Sequence, residues 1–245
     1  MQTQQLRPLV ANPNAPALRC SQCGARHRSV CRAIDEADLA KLAASAVTRV
    51  VERGEVFIEE GEPASDFFNV TEGMVKLFKL LPDGRQQITG FAGVGHFLGL
   101  AVLRTYAFSA EAIEPVTLCR FSRPKMRVLL DDFPALERRL LETACDELAA
   151  AQEQMLLLGR KTAAERVASF LLARSRAGTP CAGATDQVHL PMTRGEIADY
   201  LGLTIETVSR TLSKFRAARR IRLQSTNEIL LLDRPWLEQL AAGLV

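Results

Sequence analysis

Three cysteines crowd into one short stretch of the chain, Cys20, Cys23 and Cys31, and three more stand apart as Cys119, Cys145 and Cys181. Thiolates are soft metal donors, and four of them in one place suit a 4Fe-4S cluster. Cys119, on a predicted β-strand, is the candidate fourth ligand. Every fully charged residue ahead of Asp35 is an arginine (Arg7, Arg19, Arg26, Arg28 and Arg32), and nearby positive charge favours thiolate over thiol. The same residues admit other readings. Cys20, Cys23, His27 and Cys31 have the donors of a Cys₃His zinc site, and Cys119 alone could be a small core hydrophobe. Spacing does not separate iron from zinc. Cys145 and Cys181 read as structural or incidental.

A second constellation lies near the C-terminus. Thr193-Arg-Gly-Glu196 has the form of a capping box, in which the threonine hydroxyl and the glutamate carboxylate each satisfy a free backbone N–H at a helix start. Ile197, Ala198 and Leu201 then face inward, Gly202 permits a turn that other residues resist, and Thr204 can cap a second helix. Helix, glycine turn and helix make a helix-turn-helix. On the second helix Val208, Leu212 and Phe215 share an apolar face, while Glu206, Ser209, Arg210 and Ser213 share another. Arginine donates bidentately to guanine, glutamate accepts from cytosine and serine serves several bases, so this face suits a DNA major groove. From Thr207 to Arg222 the charged residues are Arg210, Lys214, Arg216, Arg219, Arg220 and Arg222, with no acid among them. They can supply phosphate contacts. Thr193, Arg194, Thr207, Ser213, Lys214 and Arg216 are the candidates for the DNA backbone. No nucleophile-base-acid set or phosphate loop is present and the three histidines, His27, His96 and His189, are scattered, so an enzyme is not expected.

These groups need a scaffold, and the 245 residues, 47% hydrophobic and 24% charged with a net charge of +3, are enough for one large or two medium domains. No apolar run approaches the ~18 residues that cross a bilayer, and Met1 to Ala17 lacks the apolar core of a secretory signal. A cytoplasmic protein is expected. Residues 1–34 read as a loosely attached arm carrying the first three cysteines. Residues 35–133 follow as a β-rich domain, entered through a short helix with Asp35 as its N-cap and Leu39, Leu42, Ala43 and Ala46 on its apolar side. Short runs at Val56 to Ile58, Phe67 to Val70, Val75 to Leu80, Gln86 to Phe91, Ser109 to Ala112 and Val116 to Phe121, with a hairpin turn at Pro82-Asp83-Gly84, predict an antiparallel β-roll of jelly-roll type. Residues 134–159 predict one long helix. Its stripe of Leu136, Leu140, Ala144, Leu148, Ala151, Met155 and Leu158 packs either on the β-roll or against a second copy as a dimer seam. Residues 160–245 complete an α+β chain: a helix over Ala163 to Arg176, a Gly/Ala/Pro-rich loop from Ala177 to Ala184, the helix-turn-helix, a strand pair forming a wing, and a last helix near Pro235.

The sequence resembles the CRP/FNR family of bacterial transcription regulators, and within it the FNR-type oxygen sensors. Cys20-x2-Cys23-x7-Cys31 with Cys119, the segment Met155 to Arg166, and the segment Met192 to Arg210 carry the resemblance. It implies that Cys20, Cys23, Cys31 and Cys119 ligate an oxygen-labile 4Fe-4S cluster, and that the loaded protein dimerises through the long helix. The homodimer would bind palindromic DNA with TTGAT half-sites, read by Glu206, Ser209 and Arg210, and would contact RNA polymerase. The seven-residue gap before Cys31 is longer than in some FNR proteins and resembles the FnrL and FnrN branches. A regulator without the cluster, carrying haem, another effector or structural zinc, is the alternative. Cyclic-nucleotide binders of the family place a Glu after a Gly and an Arg-Ser pair a few residues on; here those stretches read Gly99-Leu-Ala and Ala107-Phe-Ser-Ala110. Without that Glu and Arg a buried cyclic phosphate lacks its charge partners, so no cyclic nucleotide is expected.

Overall fold

A computed structural model of the chain describes residues 20–100, 104–177 and 186–245. The arm ahead of Cys20, Ala101 of the Gly99-Leu-Ala stretch, Cys181 and the loop expected from Ala177 to Ala184 lie wholly or mostly outside the described residues.

Two four-stranded antiparallel sheets form the N-terminal half. One has the order β1 (Ala46–Val51), β8 (Val116–Ser122), β3 (Asp66–Glu72), β6 (Phe97–Leu98); the other has β2 (Val56–Ile58), β7 (Ser109–Ala112), β4 (Val75–Leu80), β5 (Gln86–Ala92). Inward residues of both, among them Val51, Phe68, Val70, Val75, Ala110 and Leu118, make one buried core, as two stacked sheets require. The β4–β5 hairpin turns at the expected place: Leu81 N–H donates to Arg85 O, and Gly84 takes φ +85°.

Several elements depart from the sequence reading. Asp35 caps only a 3₁₀ turn, Glu36–Asp38, and its side chain makes no capping bond; the helix α1 begins at Leu39 and ends at Ser45, burying Leu39 and Leu42. Ala46 belongs to β1, a strand the sequence did not suggest because Val47 and Val50 point to solvent and spoil the alternation. A ten-residue helix, α2 (Arg123–Asp132), follows β8 with no loop between them, Ser122 ending the strand and starting the helix.

The long helix α3 (Pro134–Arg160) is where expected, yet its stripe is divided. Leu136 and Leu140 are buried in a core shared with Cys31, Ile34, Phe97, Phe121 and Met126, and Leu158 packs partly into the C-terminal domain beside Leu157. These three residues, expected on the dimer seam, are therefore used within the chain. A straight helix with 3.6 residues per turn rotates slowly against a seven-residue repeat, so one stripe meets different neighbours along its length. Between the two anchors one side of α3 is bare: Leu141, Leu148 and Met155, seven residues apart, are 65%, 60% and 65% exposed.

The C-terminal domain comprises α4 (Ala163–Ala177), α5 (Arg194–Leu201), α6 (Ile205–Ala217), α7 (Arg234–Ala241) and a wing of three strands rather than two, in the order β10 (Ile221–Leu223), β11 (Glu228–Leu231), β9 (Gln187–His189). Val167, Leu171, Ile197, Leu201, Val208, Leu212 and Phe215 close its core.

Candidate DNA-reading surface and cysteine site

The capping box forms as drawn from the sequence. Glu196 N–H donates to Thr193 Oγ1 at 3.1 Å and Thr193 N–H donates to Glu196 Oε2 at 2.7 Å. Gly202 takes φ +60° after α5, and Thr204 Oγ1 accepts from Thr207 N–H at 3.2 Å to start α6. Val208, Leu212 and Phe215 are buried, together with Thr211, whose hydroxyl donates back to Thr207 O at 2.8 Å. Burying that face turns the opposite one outward: Glu206, Ser209, Arg210, Ser213, Lys214 and Arg216 are all exposed on one side of α6. The Glu206 carboxyl is held below its usual range by hydrogen bonds from its own backbone N–H and from Thr204, which keeps it an acceptor. Thr193 is exposed, whereas Arg194 and Thr207 are half-buried. One expected phosphate contact is otherwise engaged. Arg220 pairs with Asp233 and stacks over Trp236 at 4.8 Å, which ties α7 to the end of α6.

Three cysteines, Cys20, Cys31 and Cys119, border the core at the foot of α3. Cys31 lies in a 3₁₀ turn, Val30–Ala33, capped by Ser29, and it is buried with Leu136 and Leu140; Cys20 and Cys119 are partly buried against the same core. Asn69 joins the sheet to this cluster. Its side-chain amide donates toward Cys31 Sγ at 4.0 Å, it stands directly across from Cys119 in the β3–β8 register, and its buried Oδ1 has no partner. The expectation that arginines favour thiolates is not met. Burial pushes the Cys20 thiol up, the neighbouring Cys23 adds to this, and Arg26 opposes it only weakly; burial pushes the Cys31 thiol up to about 11. The Arg26 guanidinium is instead turned to Ile34 O, at 3.0 Å, and to Glu36. His27 is exposed and lines a cleft with Arg32, Arg139 and Asp146. Among the described residues no three His, Cys, Asp or Glu side chains meet closely enough to hold a single metal ion, which a tetrahedral zinc site needs. A multi-iron cluster asks something different, since its four thiolates bond separate irons.

Two family descriptions match the chain: a Crp-like helix-turn-helix domain over residues 165–240 and a cyclic nucleotide-binding domain over residues 48–133. The nitrogen fixation regulation protein FixK of Bradyrhizobium diazoefficiens is 44% identical over 91% of this chain and 94% of its own length. The transcriptional activator protein FnrL of Cereibacter sphaeroides is 36% identical, over 88% of each. Among solved structures, FixK2 from Bradyrhizobium japonicum superposes with a TM-score of 0.74 at 36% identity, covering 80% of this chain and 96% of that one. The chain belongs to the CRP/FNR family of transcription regulators. The relatives are regulators of transcription and not enzymes, and the exposed face of α6 is that of a DNA-binding helix-turn-helix.

In this CRP/FNR chain the cyclic nucleotide-binding match covers the β-roll. The cleft of about 440 Å³ between the β-roll and α3 is lined by Leu77, Phe91, His96, Leu98, Phe108 and Ala151 among others, with no Lys or Arg among the described residues that line it. Two structural residues were not singled out from sequence. Arg166, inside one of the segments that carries the resemblance, donates to Leu158 O at 2.8 Å and Leu201 O at 2.9 Å, closing the C-terminal ends of α3 and α5 at once. The other is Asn69, whose significance depends on pairing across strands.

Proposed function

We propose that this regulator binds palindromic DNA as a homodimer and that Cys20, Cys23, Cys31 and Cys119 hold a 4Fe-4S cluster through which oxygen sets its affinity. One observation carries the reading: Cys31 and Cys119 border the same core that anchors Leu136 and Leu140, the foot of the long helix. The donor set suits such a group, being four cysteines beside a buried amide, Asn69, whose N–H is directed at Cys31 Sγ. When bound, the cluster would supply oxygen-sensitive ligand bonds between the arm and β8. Cys20, Cys23 and Cys31 would hold the arm, and the packing of Val30 and Ile34 would pass its position to Leu136 and Leu140. The bare heptad of Leu141, Leu148 and Met155 supports the dimer, since large apolar residues at this spacing pair with a second helix. Glu206, Ser209 and Arg210 would read TTGAT-type half-sites. Thr193, Arg194, Thr207, Ser213, Lys214 and Arg216 would contact the phosphates. The protein would act in the cytoplasm and contact RNA polymerase, without a cyclic nucleotide.

Anaerobic purification is expected to give brown protein with about four iron and four sulfide per chain, a colour lost in Cys20→Ala. Its affinity for the palindrome should fall on exposure to air. Zinc without sulfide, or DNA binding that does not change with air, would overturn the cluster.

A further inference from the structure

Lys76, on β4, is 7% exposed, and a buried ammonium is costly unless it is paired. Glu111 lies directly across from it on β7 and takes it at 2.9 Å. That cross-strand pair would be enough for the β-roll alone. A second carboxylate nevertheless arrives from the DNA-binding domain: Glu196 Oε1, 3.1 Å from Lys76 Nζ. Glu196 is the capping-box residue of α5, so its other oxygen holds the Thr193 N–H while this one reaches into the β-roll. The rest of that flank of α5 is held similarly. Gln87 on β5 donates to Asp199 O at 2.6 Å, Phe91 packs on Tyr200 with ring centroids 5.3 Å apart, and Gln154 of α3 donates to Tyr200 O at 2.9 Å. Helix α5 thus covers β5, the edge strand of its sheet.

We propose that Lys76 is a positioning residue for DNA binding, fixing the helix-turn-helix against the β-roll through Glu196 so that the two reading helices of a dimer keep one separation. The inference rests on the dimeric reading above. Its physical basis is the charge count at the bridge. One ammonium faces two carboxylates, so when the domains part Lys76 keeps Glu111 and Glu196 keeps its helix cap. Breaking a buried pair is severe when it strands a charge; here neither side is stranded, and both docked and parted arrangements are accessible. Docking leaves the α6 face open, so the docked arrangement is free to meet DNA. A fixed separation matters because half-sites lie about one DNA turn apart.

The test compares the full-length wild type with Lys76→Met, Lys76→Arg and Glu111→Gln, using a palindrome selected by the wild type from random duplexes and its isolated half-site. Lys76→Met is expected to lower the preference for palindrome over half-site roughly fivefold or more, with half-site binding unchanged, and Lys76→Arg to restore it. Without DNA, hydrogen exchange over Gln86–Ala92 should quicken in Lys76→Met and slow in Glu111→Gln, which leaves Lys76 only Glu196. Gln87→Ala, which removes a neighbouring contact without exposing a charge, should quicken exchange in the same strand and serves if Lys76→Met does not fold. Unchanged exchange and unchanged preference in the variants would overturn the proposal. Exchange needs neither DNA nor a second copy, so a wild type indifferent to the palindrome would count against the dimer and leave exchange to decide the bridge.

Discussion

Arg210 and Arg220 are two arginines of the same basic run, with different tasks. Arg210 stands free on the exposed face of α6 with Glu206 and Ser209, whereas Arg220 is occupied by Asp233 and the Trp236 ring. Arg210→Ala should therefore cost about 1–3 kcal/mol on specific DNA and relax the base preference at one position, with no change in melting temperature. Lys214→Ala should weaken all sequences alike and reduce the salt slope by about 1. Arg220→Ala should do the reverse. Its partners are half-exposed, so a loss of about 1 kcal/mol in a urea melt is expected, and the salt dependence of DNA binding should stay as it was. Titrations at several salt concentrations beside melts of the three variants distinguish these outcomes. Residue type and spacing made the reading face legible, because burial of Val208, Leu212 and Phe215 dictates what faces out. They did not reveal the task of Arg220, since that depends on a helix 13 residues further along the chain.

The turns and caps of the helix-turn-helix were written locally, in Thr193, Glu196, Gly202 and Thr204, and they formed where the sequence placed them. Elements that depend on distant partners were less legible. β1 exposes two valines, β6 has two residues, β9 has three, and the bridge from Lys76 to Glu196 spans 120 positions. That bridge makes the start of α5 sensitive to pH. Burial raises the Glu196 carboxyl, but the Thr193 backbone N–H and Lys76 together outweigh it and leave the group below its usual range. A carboxyl depressed on folding stabilises the native state above its unfolded pKa, and this stability is lost as pH falls through the folded value. Glu196→Gln should thus be less stable than wild type at pH 7, and the gap should close as the pH drops below about 4. Denaturant melts across that range test it. Gly202→Ala should cost about 1 kcal/mol or more, because an L-residue at φ +60° is strained and its Cβ would come within 3.3 Å of Leu158 Cδ2.

In the whole molecule, α3 joins the cysteine core to the DNA-binding domain. Its foot lies in the cysteine core, its end is held by Arg166 and Leu157 in the DNA-binding domain, and one side of its middle is bare. The sequence showed a single apolar stripe and left its partner open between β-roll and second copy. The structure packs the two ends of the stripe within the chain and leaves Leu148 and Met155 exposed. Leu136 is 1% exposed, and burying such a side chain contributes about 1.5–3 kcal/mol to the fold; Leu148 contributes no such burial until another chain covers it. The two leucines should respond differently to the same kind of change. Leu136→Ala is expected to lower the melting temperature of the chain at any concentration, through the transfer and cavity cost of a buried leucine, about 2–5 kcal/mol. Leu148→Asp should leave an isolated chain folded and place two like charges face to face at a parallel seam, so that sedimentation shows a monomer where the wild type is a dimer. Binding to a half-site should survive in Leu148→Asp while the advantage of the palindrome is lost. If that variant sediments as a dimer with its palindrome preference intact, the seam lies elsewhere and the bare heptad has some other partner.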